Sequence, residues 1–208
     1  MQVITIPCGI LDANAYLLIE PENGEAALID APCADGRLWE EVKRRGHAMR
    51  YLLLTHGHID HIAGVQAIRD ATHAMVGIHP ADAPCLRNTT ASLAKPMGLP
   101  TANHPSITPD LLLSDGQTLP LGKASIEVIH TPGHTPGGVC YRCGDLLFTG
   151  DTLFAGSYGR TDFPGGSMAE MRASCLRLIG LPGVARVLPG HGPETTLEAE
   201  RYSNPIFD

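Results

Sequence analysis

The residues best suited to chemistry crowd into Thr55-His56-Gly57-His58-Ile59-Asp60-His61, where three imidazoles and a carboxylate fall within six consecutive positions. Neutral ring nitrogens and an anionic oxygen at that density, on a short loop, are what a divalent metal ion needs. The competing reading, a solvated polar turn, fits poorly: turns favour Gly, Asn, Asp or Ser for backbone reasons, and none of those reasons calls for histidine. Three later stretches share one texture, an apolar strand followed by His or Asp and a Gly-bearing turn. They are Ile129-His130-Thr131-Pro132-Gly133-His134, Phe148-Thr149-Gly150-Asp151 and Leu188-Pro189-Gly190-His191-Gly192. Pro and Gly fix a tight turn at each strand end and keep bulk away, so the following side chain can face a shared cleft.

These donors need rigid elements on either side. Tyr51 to Leu54 reads as a strand and Ile62 to Arg69 as a helix, which places the first cluster on the loop between them. Upstream, Val3 to Ile6, Tyr16 to Ile19 and Ala26 to Ile29 read as strands of a meander, with the Glu22-Asn23-Gly24-Glu25 turn between the last two. Asp35 is a plausible N-cap for a helix that carries Leu38, Trp39 and Val42 inward and stops at Gly46. The consecutive leucines of Arg50 to Leu54 predict a strand covered on both faces, hence helices flanking the sheet. Ala74 to Ile78 is a further buried strand. The Pro-rich segment Pro80 to Pro109 breaks the alternation and reads as a functional loop or small helical insertion, placed here as a substrate-side lid.

A second β-rich block comprises Gln117 to Leu119, Ile126 to His130, Val139 to Tyr141 and Leu146 to Thr149. Ser167-Met168-Ala169-Glu170 is a capping box that opens an amphipathic helix with Met171, Cys175, Leu178 and Ile179, halted at Gly180 and Pro182. Ala185 to Leu188 forms a last strand and Glu194 to Arg201 a short helix. Two meanders, each followed by helices, predict an α/β fold of the αββα sandwich type, two sheets face to face with helices outside, forming one domain over residues 1–208.

Taken in this order, the four stretches resemble the metallo-β-lactamase superfamily over nearly the whole chain. The resemblance implies a dinuclear site: His56, His58 and His134 on one ion, Asp60, His61 and His191 on the other, and Asp151 bridging both. Nitrogen and oxygen donors without thiolate suit zinc first, with iron or manganese as alternatives. Two divalent ions, two carboxylates and a hydroxide leave the site cationic. Water on such ions has a pKa near 7 in favourable zinc sites and so supplies hydroxide at neutral pH, which Asp60 would orient toward an acyl carbonyl.

Within the superfamily the chain resembles short forms of glyoxalase II, the hydroxyacylglutathione hydrolases, through the Thr-His-x-His-x-Asp-His loop, His134-Thr135-Pro136-Gly137 and Gly150-Asp151-Thr152-Leu153-Phe154. The expected substrate is a small-molecule thioester such as S-lactoylglutathione, whose thiolate, with a pKa near 8.5, leaves without a strong general acid. Arg160, nine residues after Asp151, stands where glyoxalase II holds a glutathione carboxylate, although it could equally pair with Asp162. The chain departs from that group in reaching Asp208 soon after His191, in lacking a tyrosine after Arg160, and in placing Gly57 where His is commoner. The run Gly159-Arg160-Thr161-Asp162-Phe163 also resembles the persulfide dioxygenases, which hold a single iron through two His and one Asp; His56, His134 and Asp151 would be those ligands.

Composition narrows the alternatives. A chain of 208 residues, 43% hydrophobic, is long enough for a sizeable core, and a formal charge of −7 with scattered basic residues disfavours nucleic acid as a partner. No apolar run reaches a membrane span and the N-terminus lacks signal-peptide character, so no membrane partner and a cytoplasmic location are expected. Oligomeric state is not legible. Cys8, Cys33, Cys85, Cys140, Cys143 and Cys175 are dispersed and read as free thiols. Cys140-Tyr141-Arg142-Cys143 matches C-x-x-C in form, but a hairpin strand is the better reading than redox chemistry or zinc. His47, His73, His79, His104 and His130 are read as surface or core residues, with His79 and His130 near enough to strand ends to border the cleft.

Overall fold

The structure, a computed structural model, describes residues 1–102 and 104–207, without the side chain of residue 47. The first sheet opens with β1 (Gln2–Cys8), β2 (Ala13–Ile19) and β3 (Ala26–Ile29), an antiparallel meander. Helix α1 (Gly36–Arg45) then carries the chain to β4 (Met49–Leu53). A four-residue helix α2 (Ile59–Ile62) and α3 (Val65–Thr72) carry it to β5 (Met75–Ile78), and β6 (Leu111–Leu112) closes the edge. From β3 to β6 every pairing is parallel, as the helical crossovers require. The second sheet has the order β13-β10-β9-β8-β7, from β7 (Thr118–Leu121), β8 (Ala124–His130), β9 (Val139–Cys143), β10 (Leu146–Gly150) and β13 (Arg186–Pro189). A small ribbon of β11 (Leu153–Phe154) and β12 (Ser157–Tyr158) follows β10, and α4 (Met168–Ile179) and α5 (Leu197–Ser203) cover the outer face.

Three apolar layers make this the expected αββα sandwich. Alternate residues of both sheets, among them Leu18, Ile29, Leu53, Val128, Tyr141 and Phe148, meet between them. The other face of the first sheet packs Leu17, Leu28, Leu52 and Val76 against Leu38 and Val42 of α1 and Val65 and Ile68 of α3. The other face of the second sheet packs Ile129, Leu147 and Val187 against Met171, Cys175 and Leu178 of α4. Leu52 and Leu53 thus serve different layers, which is why the leucine run needed cover on both sides. Cys140 and Cys143, three apart on β9, also fall into different layers, so they pack on opposite faces and cannot pair.

Several local expectations change. The helix read over Ile62 to Arg69 is two helices broken at Gly64. A Cβ there would lie 2.0 Å from the Cys33 carbonyl oxygen, so the chain must turn where its backbone is pressed flat against its neighbour. Trp39 is only half-buried, and Asp35 stands at the N-cap of α1 without a side-chain cap bond. Ser167 does cap α4, accepting from the Glu170 amide at 3.3 Å. The lid reading of 80–109, apart from residue 103, is corrected: Leu86, Ala94 and Ile107 are buried in the layer under the first sheet, and a segment anchored there cannot swing as a lid. His47 lies outside the described side chains.

Candidate metal centre

Strand direction gathers the donors. His56 follows β4, while His134, Asp151 and His191 follow β8, β10 and β13. The last three strands run the same way, since β8 and β10 are each antiparallel to β9 and β13 is parallel to β10. All three therefore release their loops at one end of the second sheet. The first sheet is fastened to that end by the Val139 amide donating to Thr55 O at 2.8 Å and the Tyr141 hydroxyl donating to Leu54 O at 2.6 Å. Asn14 of β2 clamps the last loop, its amide nitrogen donating to Pro189 O and Gly192 O at 3.0 and 2.9 Å on either side of His191.

All seven sequence-predicted donors meet there. His56, His58 and His134 offer ligand atoms within 4.8 Å of one another, as do Asp60, His61 and His191, and a third such set links His56, His61 and Asp151. His58 Nδ1 faces His134 Nε2 at 2.8 Å, and His61 Nε2 faces His191 Nε2 at 3.3 Å. Between the two sets lies Asp151, with Oδ1 3.4 Å from His61 Nε2 and Oδ2 3.4 Å from His134 Nε2. Asp60 Oδ2 is 3.3 Å from His191 Nε2.

Six of the seven are buried or nearly so, and buried polar atoms should be paired. Here His56 Nε2 and Asp151 Oδ1 have no hydrogen-bond partner. Two unpaired buried donor atoms, ring nitrogens aimed at each other and two carboxylates among five histidines fit divalent cations.

The electrostatics agree. Burial, reinforced by the surrounding imidazoles, holds His56 well below the usual histidine range and His58 down to about 3, so both rings are kept neutral and able to ligate. Burial pushes Asp151 up, but the charge of the adjacent His61, with His134 and His191, reverses this and holds the carboxyl well below the usual range. Asp60 is lowered too, burial again being outweighed by His61 and His191. His61 is the counterpart: burial lowers it, and Asp151, Asp30 and Asp60 together raise it far more.

A supporting layer escaped sequence reasoning. Asp30, 1% exposed, accepts from Thr55 N and Thr55 Oγ1 at 2.8 and 2.7 Å, and its Oδ2 lies 2.8 Å from His61 Nδ1. That bond leaves the His61 Nε2 lone pair facing the centre. Asp82 joins two donor loops, accepting from the Gly57 amide at 2.9 Å and the Gly137 amide at 2.8 Å. Gly57 is explained as well: a Cβ there would sit 2.5 Å from Cys85 Cβ, so Cys85 fills the space a larger residue would need. Asp30 directly follows the strand that ends at Ile29 and Asp82 lies in the Pro-rich segment; neither carries a local signal of this role.

On the rim, Arg160 does two things. Its backbone carbonyl accepts from His134 Nδ1 at 2.7 Å, while its guanidinium pairs with Asp162 at 2.7 and 2.6 Å and lies 3.9 Å over the Phe163 ring. Phe163 in turn meets His58 edge-on at 5.8 Å. His79 and His130 stack at 4.2 Å on the side of Asp82, outside the donor cluster.

An αββα sandwich whose strand ends converge on buried His and Asp donors is the scaffold of a metal-binding hydrolase class. The chain belongs to the metallo-beta-lactamase superfamily, whose profile matches residues 8–191. It is 32% identical to hydroxyacylglutathione hydrolase GloC of Haemophilus influenzae, covering 100% of this chain and 99% of that protein. Among solved structures it is similar to BLEG-1 B3 metallo-beta-lactamase (TM-score 0.90, 34% identity, 99% of each chain). It is also similar to TTHA1623 in a di-iron-bound form (0.84, 38%, 98% of this chain and 100% of that one). No helix among the described residues is long and apolar enough to cross a membrane.

Proposed function

We propose that this protein is a dinuclear metal-dependent hydrolase of a small thioester of the S-lactoylglutathione type. His56, His58 and His134 would hold one ion, Asp60, His61 and His191 the other, and Asp151 both. The observation that carries the reading is the Asp151 carboxylate, which lies between the donor sets, 3.4 Å from His134 of one and 3.4 and 3.7 Å from His61 and His191 of the other. Zinc suits these donors, and iron or manganese can replace it. When bound, the ions supply a Lewis acid for the acyl oxygen and lower the pKa of water.

The chain's own residues do the rest. Asp60, kept ionised and beside His191, orients the attacking water. His134 is held by the Arg160 carbonyl and His61 by Asp30, so both rings keep their Nε2 lone pairs turned inward. The Arg160 guanidinium, at the exposed mouth, exchanges Asp162 for a carboxylate of the thiol carrier. The carrier leaves as a thiolate, for which no acid is needed. Likeness to GloC, hydroxyacylglutathione hydrolase by name, supports the thioester.

A second reading, persulfide oxygenation at one iron held by His56, His134 and Asp151, draws on the Gly159 to Phe163 run, which lies on the rim against His58. A paired assay separates the two on protein of measured metal content. Close to two metals per chain and hydrolysis of S-lactoylglutathione without oxygen uptake are expected. One iron, with oxygen uptake driven by glutathione persulfide, would overturn the hydrolase.

A further inference from the structure

Between the loop that carries His56 and His58 and the loop that carries His134 stands one carboxylate. Asp82, 2% exposed, accepts from the Gly57 amide through Oδ2 at 2.9 Å and from the Gly137 amide through Oδ1 at 2.8 Å. Gly57 separates His56 from His58 on a loop of the first sheet, and Gly137 follows His134 by three residues on a loop of the second. One side chain thus spans the two sheets beside a pair of rings whose nitrogens, His58 Nδ1 and His134 Nε2, stand 2.8 Å apart.

The fit is close on both sides. A Cβ on Gly137 would fall 2.5 Å from Asp82 Oδ1 and 2.7 Å from Asp82 N, and one on Gly57 would fall 3.1 Å from Asp82 O. The two glycines let both loops close onto this residue. Asp82 also precedes the short helical turn Ala83–Leu86, where an aspartate ordinarily caps its own helix. It makes no such bond, and both of its oxygens go to other loops. Its own backbone is anchored: Asp82 N donates to His79 O at 3.0 Å, Cys85 N donates to Asp82 O at 3.0 Å, and Leu86 is buried in the core.

A second contact joins the same two sides. His79, directly after β5, stacks on His130, the last residue of β8, with centroids 4.2 Å apart and an interplanar angle of 6°. His130 Nε2–H donates to Pro136 O at 3.0 Å, beside Gly137. The His130 backbone is itself fixed, its amide donating to Asp115 Oδ1 at 2.8 Å and its carbonyl accepting from Arg177 at 3.1 Å. The other donor set has separate supports, Asp30 on His61 and Asn14 around His191.

We propose that Asp82 is the positioning residue for the ion of His56, His58 and His134: it clasps their two loops at one separation, and the His79–His130 stack braces that clasp from outside. The inference rests on the dinuclear reading of the centre and not on its substrate. With the carboxylate in place the rings meet the ion already spaced, so binding does not have to draw two loops together. Without it both glycine amides lose their acceptor, and the loops relax independently.

The test follows zinc release from the loaded protein to a competing chelator, read at each histidine by its ring ¹⁵N shifts, together with hydrogen exchange at the Gly57 and Gly137 amides. Asp82→Asn keeps the shape but only one acceptor oxygen. It should speed exchange roughly ten-fold at one of the two amides. Zinc should leave His56, His58 and His134 at about ten-fold lower chelator, with His61 and His191 unchanged. Asp82→Ala should free both amides and weaken the same position by up to about 100-fold. His130→Ala, which leaves the carboxylate in place, should speed exchange at Gly137 and spare Gly57; unchanged exchange at Gly137 would remove the stack from the clasp. Unchanged exchange at both glycines in a folded Asp82→Asn protein, or equal loss of zinc from both positions, would overturn the clasp. A wild-type protein holding a single zinc would instead overturn the dinuclear reading, and exchange at the two glycines would still decide the clasp.

Discussion

Asp30 and Asp162 are both carboxylates that help hold a histidine of the centre, and their surroundings are opposite. Asp30 is 1% exposed and serves three donors from Thr55 and His61. The Asp162 side chain is 66% exposed and serves one guanidinium, whose own backbone carbonyl positions His134. In the buried wall no water competes for the donors, so the geometry is fixed and losing a member is costly. On the rim, water replaces either partner at little cost, so the same kind of ion pair can open for a ligand. Under the proposed function the wall would set the reaction and the rim what is bound, so that each could be changed without the other.

The sharpest break of this division is Asp151→Ala, which should empty both ion positions together, from about two metals per chain to well under one by elemental analysis; two retained metals would refute the bridge. Asp30→Ala should come next. It strands the Thr55 amide and His61 Nδ1–H without partners, costing about 3 kcal/mol in denaturant unfolding. It should also weaken the Asp60, His61 and His191 ion by 10- to 100-fold in competitive chelator titration while sparing the other ion. Equal loss from both positions would mean that Asp30 acts only through general stability.

Acid should attack the wall before the rim. His58 is held down to about 3 in the folded metal-free protein against an ordinary value near 6.5, so the unfolded chain binds more protons between those values. The contribution of His58 to stability is complete above about pH 6.5 and falls on the order of a few kcal/mol as the pH drops toward 3, because folding then keeps neutral a ring that would otherwise be charged; His61, held above the usual range, moves the other way and loses its contribution as the pH rises. Chemical denaturation of metal-free protein across that range measures it, and His58→Asn should flatten the slope. The smallest effect is expected at the rim. Arg160→Ala leaves the carbonyl that holds His134 and should raise KM for glutathione thioesters several-fold, with kcat and thermal stability nearly unchanged. An equal rise for neutral thioesters would assign Arg160 a structural role.

Much of this was legible from local pattern. The αββα sandwich followed from strand runs and a capping box, and each donor was marked by a strand end and a Gly or Pro turn. Errors arose where a distant contact decided the local outcome. The helix after the donor loop breaks at Gly64 because of the Cys33 carbonyl, and Leu86, Ala94 and Ile107 of the Pro-rich segment join the core because they find the first sheet. The Arg160–Asp162 pairing was visible as an alternative two residues apart, yet not that the Arg160 backbone would orient His134.

The sequence by itself determined which atoms can act as donors and which strands deliver them, since side-chain type and turn chemistry are local properties. Only the tertiary structure decided how those atoms are aimed. Thr55 meets Asp30 across 25 residues, Gly137 meets Asp82 across 55, and Asn14 meets the His191 loop across 175. A hydrogen bond between residues so far apart leaves no periodicity in the chain. It exists only because parallel strand ends and two packed sheets bring the partners together in a place that excludes water.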